Sequence, residues 1–395
     1  RHLNIIDNKI VTGQIKTEDN KYKIYDGYLN GKWNDFDTTQ VAIKNVLENI
    51  RADLYPNADY ICGVPAEFSF IEVVETTYEF SGSAQLVAKN NVLDLIKKAK
   101  SELEEKAKQH DDYADSFLAY SGPAWFFVDS KRTLEPIGKR DRAIKVKYAG
   151  IYVKREFANQ VSKAIKELGI KNRCAFLPST VGVAPLFLSQ SDLIKPVFIL
   201  DIGHLSSVLF AYQGETPIYQ KTINHGGGDF QLAILNGINA YQKERGGKLI
   251  NFEEAGKFKK NYSFAEGMSE KKLEIADSDT ITVDITNGKV GEFIAPQLDE
   301  FCKIINEEIK ASGIPYSSGD PLYITGGGLI MNEDAKQKLN QKLDYVVRIF
   351  DKQLSNCGEA YNSSVVGVLR TALQKIDENR RSNGLVTALR NLFGG

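Results

Sequence analysis

Three glycine-bearing turns, each set against an apolar or helical run, constrain this chain more than any other feature. They are Asp201-Ile202-Gly203-His204-Leu205-Ser206-Ser207 after Pro196 to Leu200, Asn224-His225-Gly226-Gly227-Gly228-Asp229 ahead of a helical pattern, and Thr325-Gly326-Gly327-Gly328 after Leu322 to Ile324. Glycine lacks a Cβ, so the main chain can approach a ligand or another main chain closely at these points. A strand that ends in such a turn, and a turn that opens a helix, aim backbone N–H groups at anions. In this reading Asp201 holds a metal-bound water, the turn with Ser206 and Ser207 faces a phosphate, and Gly326 to Gly328 passes close to a base or sugar. Each turn also has a plainer reading: a hairpin with a turn Asp, a loop in which Asp229 is an N-cap, and a left-handed turn. Their order and spacing, taken together, favour the phosphate-binding reading.

The chain has 395 residues, which at about 150 residues per domain suggests two or three domains. Strands are expected at Lys9–Ile15, Lys21–Tyr28 and Tyr60–Val64, with a helix capped by Thr39 in between. A stretch with its own plan follows: an extended run Ile71–Phe80, a charged helix Val92–Lys108, and strands at Trp125–Val128 and Ile144–Val153. It reads as an inserted subdomain. From Phe157 a helix with Val161, Ala164, Ile165 and Leu168 on one face stops at Gly169. Strands are expected at Arg173–Leu177, Pro196–Asp201, Ser207–Tyr212 and Pro217–Ile223, then polar, partly helical chain to Gly267, a helix Pro296–Ala311 and the strand Leu322–Thr325.

Charge and composition exclude several functions. The 50 basic residues nearly cancel the 51 acidic ones, so no overall field draws the molecule onto nucleic acid. Cys62, Cys174, Cys302 and Cys357 are too scattered for a disulfide framework or a zinc pair, and reduced thiols are expected. His2, His110, His204 and His225 show no metal-ligand spacing, so no metal site made of protein ligands is expected. A GxSxG elbow is absent. No apolar run approaches the roughly 20 residues that cross a bilayer, and Arg1-His2-Leu3-Asn4 lacks the hydrophobic region of an export signal.

The order of these segments resembles the actin superfamily and, within it, the FtsA family of bacterial cell-division proteins. Ile199 to Phe210 resembles the second phosphate motif, with Asp201, Gly203, Ser206 and Ser207. Gly226, Gly227, Gly228 and Asp229 resemble the following glycine turn, and Glu254 with Lys257 the acid and base that flank adenosine. Gly326, Gly327 and Gly328 resemble the adenosine motif, and Tyr361 to Leu369 the closing helix. The resemblance implies a two-lobed α/β, actin-like (ribonuclease H-like) fold. Residues 1–68, 156–194 and 361–379 would form subdomain 1A and 70–155 an inserted 1C-type subdomain. Residues 195–235 and 296–360 would form 2A, 236–295 would form 2B, and 380–395 a tether and membrane helix.

The resemblance further implies ATP with Mg2+ as cofactor, self-association into filaments, and the C-terminal tail of FtsZ as partner. It places the chain at the cytoplasmic face of the membrane at the division site. PilM-like scaffolding of a pilus machine is the alternative, and an active ATPase or kinase of the superfamily a third. Two departures bear on the cofactor. Ile5-Ile6-Asp7-Asn8-Lys9 has neither Gly nor Ser where a first phosphate loop wants both, and His204 and Leu205 replace small residues in the second. ATP binding is therefore expected to be weak or absent, with no catalytic residue assigned.

The last segment carries Leu385, Val386, Ala388, Leu389, Leu392 and Phe393 interrupted by Thr387, Arg390 and Asn391. At 100° per residue the apolar positions share an arc of about 160°. Preceded by the polar stretch Lys375–Gly384, read as a flexible tether, this segment is expected to lie on membrane lipid as an amphipathic helix.

Overall fold

The computed structural model describes residues 2–6, 9–13, 28–29, 32–33, 41, 60–167, 169, 174–189, 191–214, 216–265, 267–273, 285–329, 333–350 and 363–383. Side chains are described from residue 60 to 375, and at Val41. The helix expected after Thr39 apart from Val41, the strand Lys21–Tyr28 apart from Tyr28, and the membrane residues Leu385, Val386, Leu389, Leu392 and Phe393 lie outside the described residues. The chain divides into two compact units. Unit 1 is Arg1–Lys195, Ala211–Gln220 and Lys352–Gly395, and unit 2 is Pro196–Phe210 and Lys221–Asp351.

Unit 1 begins with two antiparallel pairs, β1 (His2–Ile6) with β2 (Lys9–Gly13) and β3 (Tyr28–Leu29) with β4 (Lys32–Trp33). After β5 (Tyr60–Val64) comes the long strand β6 (Ser69–Glu79), then β7 (Gln85–Leu86) and helix α1 (Lys89–Ala107). Strands β8 (Ser116–Val128), β9 (Lys131–Thr133), β10 (Arg140–Asp141) and β11 (Ala143–Lys154) follow. The order β6-β11-β8-β9 makes a four-stranded antiparallel sheet. Its strands alternate as a half-covered sheet must, with Ile144, Val146 and Tyr148 turned inward between Lys145 and Lys147. Helix α1 closes that inner face with Val92, Leu95, Ala99, Leu103 and Ala107, spaced three and four residues apart. Fully burying a side chain such as Leu95 or Leu103 contributes roughly 1.5–3 kcal/mol. The helix comes close because β11 carries Gly150, where a Cβ would stand 3.0 Å from Leu118 Cδ1 and closer still to Leu103 Cδ2.

β11 runs directly into α2 (Arg155–Glu167), whose Phe157, Val161 and Ile165 pack on Val64 and Phe68. The turn after α2 places Gly169 at φ +73°, and its N–H donates to the Lys166 carbonyl. Strand β12 (Cys174–Pro178) pairs in parallel with β5, and the one-turn helix α3 (Ala184–Phe187) follows. Residues 211–220 also belong to this unit. There Thr216 Oγ1 donates to the Pro123 carbonyl at 3.1 Å, and Gln220 Nε2 to the carbonyl and hydroxyl of Ser69 at 3.0 and 2.8 Å.

Unit 2 is built on a five-stranded sheet. The sheet contains β13 (Val197–Ile202), β14 (Ser207–Gln213), β15 (Thr216–Ile223), β16 (Pro321–Thr325) and β17 (Val346–Ile349) in the order β15-β14-β13-β16-β17. Of these β13, β16 and β17 lie wholly in unit 2, while β14 leaves it after Phe210 and β15 re-enters it at Lys221. β13, β16 and β17 are parallel, which explains why β13 reads as an unbroken apolar run. Helix α4 (Gly227–Arg245) packs against both α5 (Phe252–Asn261) and α6 (Asn287–Ala311), and α7 (Glu333–Asn340) lies beside β17. α6 starts nine residues before Pro296, where the sequence reading began it. Thr286 caps it by accepting the Lys289 N–H, and the buried stripe Val290, Ile294, Leu298, Phe301, Cys302, Ile305 and Ile309 continues through the proline. Back in unit 1, α8 (Ser363–Asn383) places Val368 and Ala372 against Ile151, Leu177 and Val181. Its helical backbone covers most of Lys375–Gly384, so that stretch is not a flexible tether as far as Asn383.

Candidate functional site

All the expected nucleotide-contacting residues belong to unit 2, and its parallel sheet brings most of them to one edge. β13 ends in Asp201-Ile202, and the chain then turns at Gly203, whose N–H donates to the Ser206 carbonyl at 3.0 Å. His204 and Leu205 stand exposed at the tip of this turn. β16, hydrogen-bonded beside β13, delivers Gly326, Gly327 and Gly328 to the same end. Gly226 caps α4, which starts from the strand-to-helix turn after β15.

The three turns bond to one another rather than outward. Gly227 N–H donates to the Gly203 carbonyl at 2.8 Å, Gly228 N–H to His204 at 2.7 Å, and Gly328 N–H to Ile202 at 2.7 Å. The remaining first-turn groups of α4 are also taken: Gly226 N–H bonds Asp229 Oδ2 at 2.7 Å, and Asp229 N–H bonds the Gly226 carbonyl at 3.2 Å. The sequence reading expected a helix N-terminus with free amides. The structure corrects this, because neighbouring carbonyls already fill the role an anion would take. The need for glycine is correspondingly steric. A Cβ on Gly227 would lie 2.5 Å from Gly328 Cα, and one on Gly326, at φ +98°, would lie 2.5 Å from Asp201 Oδ1.

Lys259, on α5, completes the junction. Its Nζ donates to the carbonyl of Gly227 at 2.9 Å and of Gly328 at 3.0 Å, tying two of the turns together through one ammonium. Burial, with the neighbouring charge of Lys260, brings its pKa down to about 8. Burial and the Lys259 charge in turn hold the His204 imidazole below its ordinary range, with Asp229 opposing them. At neutral pH this leaves a charged lysine and a neutral histidine side by side.

Other expected residues have different work. Ser207 is fully buried and its Oγ donates to the His225 carbonyl at 2.7 Å, so that hydroxyl does not face a phosphate. Glu254 closes the start of α5: its Oε2 accepts the Asn251 N–H at 2.7 Å, and its own N–H donates to Asn251 Oδ1 at 2.9 Å. Lys257 is half-buried on the same helix, and Gly327 is exposed between its two buried glycine neighbours. Sequence reasoning did not single out Lys259. The only signal is its place in Lys257-Phe258-Lys259-Lys260, where helical phase decides which ammonium points inward.

A phosphate at the first turn of α4 would find every N–H from Gly226 to Asp229 already bonded, so that turn does not fit it. Among the described residues no group of His, Cys, Asp or Glu is arranged to hold a metal ion. No helix of the described residues is long and apolar enough to cross a membrane.

Comparison with known proteins agrees with the architecture. No family model matches the chain, and no curated protein sequence matches it. Among solved structures, the chain is similar to a PilM-PilN type IV pilus biogenesis complex at 14% identity, with a TM-score of 0.55, covering 88% of this chain and 89% of that one. It is also similar to MreB5 of Spiroplasma citri bound to AMPPNP, at 13% identity and a TM-score of 0.49, covering 96% and 89% of the two chains. The fold is actin-like α/β.

Proposed function

We propose that this chain is an assembly scaffold on the actin-like fold that holds partner proteins, with binding of ATP and Mg2+ weak or absent. The junction of the three glycine turns carries this reading. A phosphate entering it would have to displace the carbonyls that accept from three main-chain N–H groups and from the Lys259 ammonium. Each neutral bond is worth about 0.5–1.5 kcal/mol net, and a bond to a charged group about 1.5–3. The likeness to PilM, solved together with PilN, supports a role in which the scaffold grips a short segment of another protein. In this reading residues 70–155 form an inserted subdomain, and the partner belongs to a pilus machine.

A second reading is a linker between FtsZ and the cytoplasmic face of the membrane. The amphipathic pattern of Leu385, Val386, Leu389, Leu392 and Phe393 favours it. These five side chains, with Ala388, hold one copy only weakly, so a filament with many tails would bind by avidity. The test uses the full chain in three assays: retention on immobilised PilN or on the FtsZ C-terminal tail, pelleting with anionic liposomes, and calorimetric titration with Mg-ATP. Retention on PilN supports the first reading. Retention on the FtsZ tail with liposome pelleting supports the second. Micromolar affinity for Mg-ATP with rapid phosphate release overturns both and leaves the active ATPase or kinase reading.

A further inference from the structure

The four-stranded sheet of unit 1 has a second face, opposite the one that α1 covers. Register fixes what stands there. Glu75, Lys147 and Trp125 form one row across β6, β11 and β8, and Thr77, Lys145, Phe127 and Arg132 form the next, continuing onto β9. Directly opposed residues of an antiparallel pair share a face, so these side chains are neighbours. The face combines aromatic surface with three cations and one carboxylate, and that carboxylate is already paired with Lys145 at 3.4 Å.

Two features of this face are unsatisfied. Trp125 is 7% exposed, yet its indole Nε1–H has no hydrogen-bond partner among the described residues. It lines a cavity of about 20 Å³, together with Ala124, Leu134, Leu193, Ile194 and Arg132. A buried donor without an acceptor costs about 1–3 kcal/mol, so such a group marks a place where something else supplies the acceptor. The cations are the second feature. The Arg132 guanidinium lies 5.3 Å from the Trp125 ring centroid and forms no ion pair among the described residues. Among the described residues Lys147 bonds only the neutral Gln213 Oε1, at 3.3 Å. Its pKa is lowered by burial and opposed by Glu75, and the Arg132 charge lowers it further.

The cavity's size and lining narrow the ligand. A space of about 20 Å³ holds roughly one water-sized group, too small for a nucleotide or sugar. A water needs two to four polar partners, and most of the lining side chains are apolar. An anionic oxygen whose carrier also meets Arg132 and Lys147 is better satisfied. At the rim Ile194 is 52% exposed and Phe127 is 40% exposed, which provides apolar contact beside the charge.

We propose that this face is a docking site for an acidic peptide segment of a partner protein. One Glu or Asp carboxylate oxygen enters the cavity and accepts the Trp125 Nε1–H, Arg132 and Lys147 pair with its charge, and an adjacent apolar side chain covers Ile194 and Phe127. None of these residues takes part in the glycine junction, so the proposal does not depend on the state of that site.

The test follows the indole N–H resonances of the full chain by nitrogen-edited NMR. The sequence holds only two tryptophans, Trp33 and Trp125, and Trp125→Phe assigns the signals. Three probes are titrated to equal concentration: the capped tripeptide Leu-Glu-Leu, its Leu-Gln-Leu counterpart, and inorganic phosphate. The Glu peptide is expected to move the Trp125 resonance saturably and leave Trp33 in place. Arg132→Gln, at an exposed position, is expected to weaken binding at least fivefold, and Lys147→Met likewise. An unmoved Trp125 signal, an equal response to the Gln peptide, an equal response to phosphate, or unchanged affinity in Arg132→Gln overturns the proposal.

Discussion

Replacing Gly227 with Ala tests the glycine junction directly, because the sign of its effect is set by packing alone. At an unobstructed helical position, Gly→Ala stabilises by up to about 1 kcal/mol through helix propensity. Here the added Cβ would stand 2.5 Å from Gly328 Cα and 2.6 Å from its carbonyl carbon, against about 3.5 Å for an ordinary carbon contact. The obstacle is main chain, which cannot swing aside as a side chain does. Relieving an overlap of about 1 Å moves the 326–328 turn, straining the bond from Gly328 N–H to Ile202 and both Lys259 contacts. Losing one neutral bond and weakening two charged ones, less the propensity gain, leaves a net loss of about 2–4 kcal/mol. Gly228→Ala is the control. Its Cβ would sit 3.0 Å from the His204 carbonyl oxygen and 3.3 Å from the imidazole Nε2, which can rotate, so its net effect is within about 1 kcal/mol of zero. Hydrogen exchange across the first turns of α4, followed by mass spectrometry in rising urea, reads the local stability without assuming that the two units unfold together. Wild-type protection in Gly227→Ala, or equal losses in the two variants, would refute the packing argument.

Lys259→Met removes a charge that costs more to carry in the folded chain than in the unfolded one. With a folded pKa of about 8 against an ordinary 10.5, the unfolded chain holds more protons between those values. Wild-type stability relative to the variant therefore rises with pH from about 8 to about 10.5, by up to about 3 kcal/mol, and the full penalty is present below pH 8. Paired thermal unfolding curves at pH 7 and pH 10 check this, and a constant difference contradicts it. Burial raises the thiol pKa of Cys62 and Cys302 to about 12, and that of Cys174 higher still. At pH 8 these three are expected to alkylate slowly in the native chain and fully in denaturant, with the sites read by mass spectrometry. Asn251→Ala deletes the side-chain cap of α5 that accepts the Glu254 N–H at 2.9 Å. It should cost about 1 kcal/mol by urea denaturation, while Asn251→Asp restores most of the loss.

Periodicity and turn chemistry reach as far as single elements. The alternation of Ile144, Val146 and Tyr148 with Lys145 and Lys147 marks a half-covered strand, and the unbroken run Val197–Leu200 marks a buried parallel one. Gly203, Gly226 and Gly328 are identifiable as close-approach points because only glycine tolerates the main chain that faces them. What approaches them cannot be read from the same letters. A missing Cβ admits a phosphate or another carbonyl equally well, and only the side-by-side placement of β13 and β16 decides for the carbonyls. Lys259 escapes notice for a related reason. It sits among lysines, and its inward direction follows from the packing of α5 against α4, which propensity does not encode. Pro296 misleads in the opposite sense. Proline favours a helix start, but a buried stripe on both sides of it holds one continuous helix and compensates for the single lost hydrogen bond. Local rules fix the elements because each depends on a few neighbouring residues. The partners of a turn, a carboxylate or an ammonium are chosen by segments distant in sequence, as Gly328 and Ile202 are, and so only by the folded chain.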